Sequence, residues 1–237
     1  MGRKLTFDNH HAVEIDNRIA AAWRKFNALR TELTNKRYTL RSRIHLFNAT
    51  ITPSILYGCV SWTTTKALAT KLQRTQRRML RLVISTTRRQ YTSTTQTTTS
   101  PTLEAWPDYI QRAAAIADAQ LQKLHIESWP TTYLKRKWRW AARIATQPAT
   151  RWTRLATSWQ PELDHKRLTT RRQARPHKRW SDDFDEFLKT LSNDPSIQAI
   201  PPHWLKVAAN TTTWKLLEHK FITYMNTQRR TRANDSS

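Results

Sequence analysis

Five cations recur at helical spacing within one short stretch of the chain: Lys71, Arg74, Arg77, Arg78 and Arg81. At 100° per residue, positions 71, 74, 78 and 81 share one face of a helix, and Leu68, Leu72, Met79 and Val83 lie on another. No acid occurs between residues 66 and 89. A merely solvated face would carry interspersed glutamates. The pattern therefore favours contact with phosphates, which position a protein without reading base sequence.

A second basic cluster interleaves cations with aromatic rings. Its members are Lys135, Arg136, Lys137, Arg139, Trp140 and Arg143. Rings that stack on bases and cations that meet phosphates suit single-stranded nucleic acid. Trp138 lies in helical register with Leu134 and Ala141, so we expect it in the core. Trp140 falls off that stripe, and we expect it either to contact nucleic acid or to pack against other helices.

The third basic segment joins two predicted helices, and its candidate contacts are Arg171, Arg172, Arg175, Lys178 and Arg179. It would touch nucleic acid or act as a nuclear localisation signal. Asp182 and Asp183 follow directly. We expect them to complement the dipole at the start of a helix. A rarer alternative is a nuclease that uses these two with Asp185 and Glu186.

Residue patterns that would carry catalysis are missing. A polymerase palm needs a paired-carboxylate turn after a strand to hold two metal ions, and the only Asp-Asp pair follows Trp180-Ser181 instead. The eight histidines have no ligand-like spacing. Cys59 is the single cysteine, which excludes disulfides and cysteine-based zinc sites. We therefore predict no catalytic residue, metal or cofactor in this chain.

Charge points to polyanionic partners. The 237 residues carry a net charge of +24, so nucleic acid is the first candidate and an anionic membrane surface the second. No apolar run is long enough for a membrane span. The N-terminus has no apolar signal region. We expect an intracellular protein, nuclear or cytoplasmic and not secreted.

The fold is predicted to be all-α, because two glycines and eleven tryptophans suit packed helices better than strands and tight turns. Two helical bodies, residues 1–84 and 103–237, are expected to flank a Thr/Ser-rich linker at 85–102. One helix is predicted over 66–83. A new helix should begin at Pro53 with Thr52 as its N-cap, and Gly58 should mark a close helix approach.

Several motifs follow one another along the chain. Residues 43–58 read R-x-x-L-F-x-A-x-I-x-P-x-x-L-Y-G, Trp62 follows, and residues 72–81 read L-x-x-x-Q-R-R-M-L-R. Further on come W-R-W-A at 138–141, R-W-T at 151–153 and R-P-H-K-R-W-S-D-D at 175–183. Together these motifs resemble the region after the polymerase palm in LINE-type (non-LTR) retrotransposon reverse transcriptases. Ala174 stands where the last pattern has glycine in that family.

The resemblance implies a thumb followed by a helical tail, beginning where the palm should already have ended. Its partner would be template RNA or an RNA–DNA duplex, held through phosphate contacts, and also the palm and fingers of the same element. Two alternatives stay open. One is an independent basic helical module that binds nucleic acid, and the other is a degenerate element without a selected function.

Overall fold

The structure is a computed structural model that describes residues 10–95, 98–158, 178–192 and 203–234. Ten α-helices lie in these residues: α1 (His10–Ala28), α2 (Arg30–Thr34), α3 (Leu40–Ile55), α4 (Lys66–Ile84), α5 (Trp106–Lys123), α6 (Trp129–Ala145), α7 (Trp152–Ser158), α8 (Asp182–Ser192), α9 (Trp204–Ala209) and α10 (Thr211–Asn234). A 3-10 turn covers Cys59–Ser61, and β1 (Gln90–Thr95) and β2 (Thr98–Leu103) form one hairpin. The all-α prediction is confirmed.

The chain divides into two compact units. Unit 1 comprises Met1–Gly58 and Thr64–Thr132, and unit 2 comprises Cys59–Thr63 and Tyr133–Ser237. These boundaries differ from the predicted bodies at 1–84 and 103–237. Whether the Thr/Ser tract acts as the joint between two bodies stays a prediction.

Helix α4 forms as its sequence predicts. Thr65 caps its start, because the threonine hydroxyl oxygen accepts a hydrogen bond from the backbone N–H of Leu68 at 3.4 Å. Leu72, Met79, Leu80 and Val83 are buried along one face. The guanidinium of buried Arg43, on α3, donates to the carbonyl of Val83 and so satisfies an unpaired acceptor at the end of α4.

Predictions around Pro53 are wrong. Helix α3 continues through Pro53 to Ile55, so the missing N–H affects only its last turn. The Thr52 hydroxyl accepts a bond from Trp129 Nε1 at 2.8 Å instead of capping a new helix. Gly58 adopts a φ of +66°, and an added Cβ would meet no atom within 4 Å. Its role is therefore the left-handed backbone rather than a close helix approach.

The Thr/Ser tract contains an antiparallel hairpin. Its register runs from Gln90 opposite Leu103 to Thr95 opposite Thr98. Threonine is β-branched and favours extended backbone. The tract has no alternation of apolar residues, so its sequence pattern did not predict strands. Glu104 closes the base of the hairpin. The backbone N–H of Glu104 donates to the carbonyl of Arg89 at 2.9 Å, and the Glu104 carboxylate accepts from the Arg89 N–H at 3.1 Å.

A pair of stacked tryptophans forms the centre of unit 2. The rings of Trp138 on α6 and Trp214 on α10 lie 3.6 Å apart at 4°. Each indole N–H donates to the other residue's backbone carbonyl at 2.9 Å. Phe184, Phe187 and Phe221 surround Trp138, which is fully buried. The prediction that Trp138 belongs to the core is confirmed.

We expect Trp138→Ala to lower the free energy of unfolding by about 3–5 kcal/mol, because it removes a buried ring and the hydrogen bond that its indole N–H donates to the Trp214 carbonyl. Trp140→Ala, which truncates a half-buried ring, should cost about 1 kcal/mol. Denaturant titrations of both variants measure the difference. Equal losses would mean that both faces of α6 are core.

Candidate nucleic-acid interface

The outward face of α4 carries three of the predicted contacts in accessible positions. Arg74 and Arg78 are exposed and Arg81 is half-exposed, opposite the buried face of Leu72 and Met79. Within the described residues, Arg74 and Arg81 form no ion pair or hydrogen bond through their side chains. Their guanidinium donors are therefore available to an external acceptor such as phosphate.

Acids from neighbouring helices neutralise two other cations of this set. Lys71 Nζ lies 2.5 Å from Asp16 Oδ1, which belongs to α1. Arg77 forms a two-pronged pair with Asp118 on α5, with Nε donating to Oδ1 at 3.0 Å. The absence of acids between residues 66 and 89 holds for the local sequence only, because both of these acids come from other helices. Lys71 and Arg77 are weaker candidates for phosphate contact than the other three residues.

Arg78 is held by an aromatic ring. Its guanidinium carbon lies 5.3 Å from the centroid of the half-buried Trp23 ring on α1. Attraction to the ring restrains the position of the guanidinium, while the side chain stays exposed to solvent. This arrangement reduces the side-chain entropy that Arg78 would lose on binding a phosphate.

On α6, three predicted cations reach solvent. Arg136, Arg139, Trp140 and Arg143 share a face by helical spacing. The three arginines are exposed, and Trp140 is half-buried, as is Lys135 on a neighbouring face. Arg139 makes two bonds to the carboxylate of Glu218, at 3.0 and 2.9 Å. Trp140 as a stacking platform stays a prediction.

Arg136 affects the pKa of Cys59, the single cysteine. Burial raises the pKa of the Cys59 thiol, and the nearby positive charge of Arg136 acts in the opposite direction without cancelling the rise. A thiol in that state is the poor nucleophile expected of a structural core cysteine.

The prediction that Lys137 contacts nucleic acid is wrong. Its side chain is fully buried, and Nζ lies 2.6 Å from Asp183 Oδ2. Burial alone would raise the pKa of Asp183, but Lys137 and Lys178 hold it below its usual value. An alternating K-R-K pattern cannot reveal such a pair, because the acid lies on α8, 46 residues away in sequence.

The structure describes only part of the third basic segment, from Lys178 onward. Arg171, Arg172 and Arg175 lie outside the described residues. Arg179 is exposed, and Lys178 pairs with Asp183 at 2.5 Å and with Glu186 at 3.8 Å.

The acids that follow this segment are engaged in hydrogen bonds and ion pairs. Asp182 accepts a hydrogen bond from the backbone N–H of Arg179 at 2.7 Å, next to the start of α8. Asp183 instead belongs to the buried pair with Lys137, so the helix-dipole expectation describes only part of its role.

The sequence analysis did not single out Trp106, which opens α5 and is 60% exposed. Its spacing of seven residues to Ala113 places it on the same stripe as Ala113, Ala117 and Leu121, so the apolar pattern of α5 gave no signal of its exposure. Among the described residues, no three histidine, cysteine, aspartate or glutamate side chains form a group that could hold a metal ion. None of the helices in the described ranges is long and apolar enough to cross a membrane.

One comparison relates the chain to a known protein. It is 26% identical over 218 residues to a Caenorhabditis elegans protein named as transposon-derived and uncharacterized, which corresponds to 90% of this chain and 67% of that protein. No family model matches the chain. No solved structure matches it either.

Replacing the buried pair separates its structural role from nucleic-acid contact. Lys137→Met should lower the free energy of unfolding by about 3–5 kcal/mol, because it removes a buried partner of Asp183. The double variant Lys137→Met/Asp183→Leu should recover most of that loss. Denaturant titration measures both.

The double variant should also bind duplex with the salt dependence of the unmodified chain. If a stable double variant showed a log–log slope of duplex affinity against salt that was smaller by about 0.9, the value of one phosphate contact, Lys137 would belong to the interface.

Proposed function

We propose that this chain is the non-catalytic, nucleic-acid-binding part of a retrotransposon reverse transcriptase, comprising its thumb and distal helical region. It holds template RNA or an RNA–DNA duplex by the phosphate backbone. The observation that carries the proposal is the accessible row of Arg74, Arg78 and Arg81 on α4. The buried apolar face opposite fixes the direction in which that row points.

The spacing of the three arginines supports contact with the phosphate backbone rather than recognition of bases. Arg74, Arg78 and Arg81 follow one another at intervals of four and three residues, so they rise along a single helix face. One restrained guanidinium, Arg78 over Trp23, lies between two that have no side-chain partner among the described residues. Evenly spaced arginines on a rigid helix suit successive phosphates of a duplex, which carry no sequence information.

Similarity supports an origin in a transposable element. The motifs at 43–81 and 138–183 resemble the region after the palm in LINE-type elements, and the C. elegans relative is named as transposon-derived. The coarser conclusion is a transposable-element remnant. The thumb assignment is the finer proposal, and the palm and fingers of the same element would be its protein partners.

The carboxylates favour a binding role over catalysis. The chain contains one Asp-Asp pair, and its buried member is bound by Lys137 and Lys178. Both of its oxygens thus face lysine nitrogens, whereas a metal-dependent polymerase or nuclease needs its carboxylate oxygens for metal ions.

An independent nucleic-acid-binding module would use the same α4 face. Palm-coding sequence directly upstream in the genome would distinguish the thumb from such a module.

Removing the three arginines should change the salt dependence of binding in a defined way. Arg74→Gln/Arg78→Gln/Arg81→Gln should flatten the log–log slope of duplex affinity against salt by about 2.7, because each lost phosphate contact changes it by about 0.9. Fluorescence anisotropy with a B-form DNA duplex and an RNA–DNA hybrid measures the slope.

The matched control removes the same number of charges elsewhere. Lys189, Lys206 and Lys215 are exposed residues of unit 2 that do not belong to the predicted contacts. Their joint replacement by glutamine should leave the slope nearly unchanged. If both triple variants flatten it equally, binding follows net charge alone and the α4 interface is rejected.

A further inference from the structure

A groove runs along the first turns of α5 in unit 1. Its volume is about 690 Å³, and its walls are largely apolar, with Trp106, Pro107, Ile110 and Ala114 among them. That volume lies within the range of sites that hold small molecules or parts of larger ligands. Arg77, from the basic helix α4, also lines the groove, so the groove adjoins the proposed phosphate-binding face.

Trp106 is the unusual member of this groove. A tryptophan left 60% exposed leaves much apolar surface in water. Its ring lies 5.3 Å from that of Tyr109, and the guanidinium of Arg88 lies 5.8 Å from its centroid. Arg88 Nε in turn donates to the carbonyl of Glu104 at 2.9 Å. The exposed ring is therefore accompanied by a cation in a fixed position.

Glu104 anchors the backbone two residues before Trp106. It is buried and accepts hydrogen bonds from Arg112 Nε at 2.8 Å and Nη2 at 2.6 Å. These bonds from Arg112 lower the pKa of Glu104 to about 2, so the carboxylate is charged at neutral pH. Trp106 thus projects from a pre-organised backbone, which reduces the entropy lost on binding.

We infer that this groove binds an unpaired base of a nucleic acid, stacked on Trp106, while α4 holds the adjoining backbone. The inference rests on the proposed function. An indole flanked by arginine is the combination that proteins use to bind single strands without sequence preference. Asp118 also lines the groove, but its two oxygens are engaged by Arg77.

Charge favours a base over an apolar protein segment as the occupant. Arg88 lies beside the ring, and Arg81 lies one helical turn beyond Arg77, the wall residue that is paired with Asp118. Exposed Arg89 follows Arg88 in the chain. A strand entering this groove would leave its phosphates among these cations, whereas an apolar peptide would gain nothing from them.

Base stacking and charge can be separated with two single strands of about twelve nucleotides, one of thymidines and one abasic with the same phosphates. Trp106→Ala should weaken binding of the thymidine strand between about fivefold and about 150-fold and leave binding of the abasic strand unchanged. Trp106→Phe should retain most of the affinity. The control is Trp152→Ala, because Trp152 is 83% exposed in unit 2 and should leave both affinities unchanged.

Equal weakening on both strands, or no weakening on either, would overturn the inference. If neither affinity changed, a protein segment would become the candidate occupant of the groove. Thermal melts of Trp106→Ala and Trp106→Phe should match the unmodified chain, so a loss of affinity with an unchanged melt is a loss of contact. The duplex salt slope stays an independent test. If the α4 variant flattens that slope while Trp106→Ala has no effect, the proposed function holds and only the base site is rejected.

Discussion

The orientation of α4 depends on the burial of one helix face. Leu72, Met79, Leu80 and Val83 are buried in unit 1, and each buried aliphatic side chain of this size contributes about 1.5–3 kcal/mol. Only one rotation of the helix about its own axis buries all four of these side chains. The arginines opposite are therefore directed outward by packing that has nothing to do with their charge. Nucleic-acid contact by this helix would follow from the same constraint that stabilises the fold.

Tryptophan has two different environments in this chain. Trp138 lies on the apolar stripe of α6 and is stacked against Trp214 in the core of unit 2. Trp106 also lies in register with the buried stripe of α5, but it is the first residue of that helix and is largely exposed. The same side chain thus stabilises one unit by burial and is available for ligands in the other. An abundance of tryptophan alone therefore does not identify nucleic-acid contacts.

Local patterns predicted the features that arise within one helix. The bounds of α4, its buried face and the burial of Trp138 follow from spacing of three and four residues. Pairing between distant segments could not be predicted in this way. Lys137 and Asp183 are both charged, so their local sequences predict surface positions. They nevertheless form an ion pair in the protein interior. Asp118 likewise reaches Arg77 from a different helix, which no local window contains.

One error arose where two local preferences compete. Pro53 is a strong signal for a helix start, but the Thr52 hydroxyl accepts a hydrogen bond from Trp129, and α3 continues through the proline to Ile55. A contact from outside the segment decided that outcome. The Thr/Ser tract has linker composition together with β-branched residues that favour extended backbone, and the Glu104 bonds hold the base of its hairpin. Its role as a linker between two bodies stays a prediction.

The most direct measurement of nucleic-acid contact by α4 is arginine-selective chemical labelling, read by peptide mass spectrometry with and without saturating RNA–DNA duplex. Arg74 and Arg78 should be labelled in the free protein and protected in the complex. Arg37, an exposed arginine of unit 1 between α2 and α3, should stay labelled in both. Equal labelling of Arg74 and Arg78 in the free and bound protein would contradict the assignment of α4 as the backbone-binding helix.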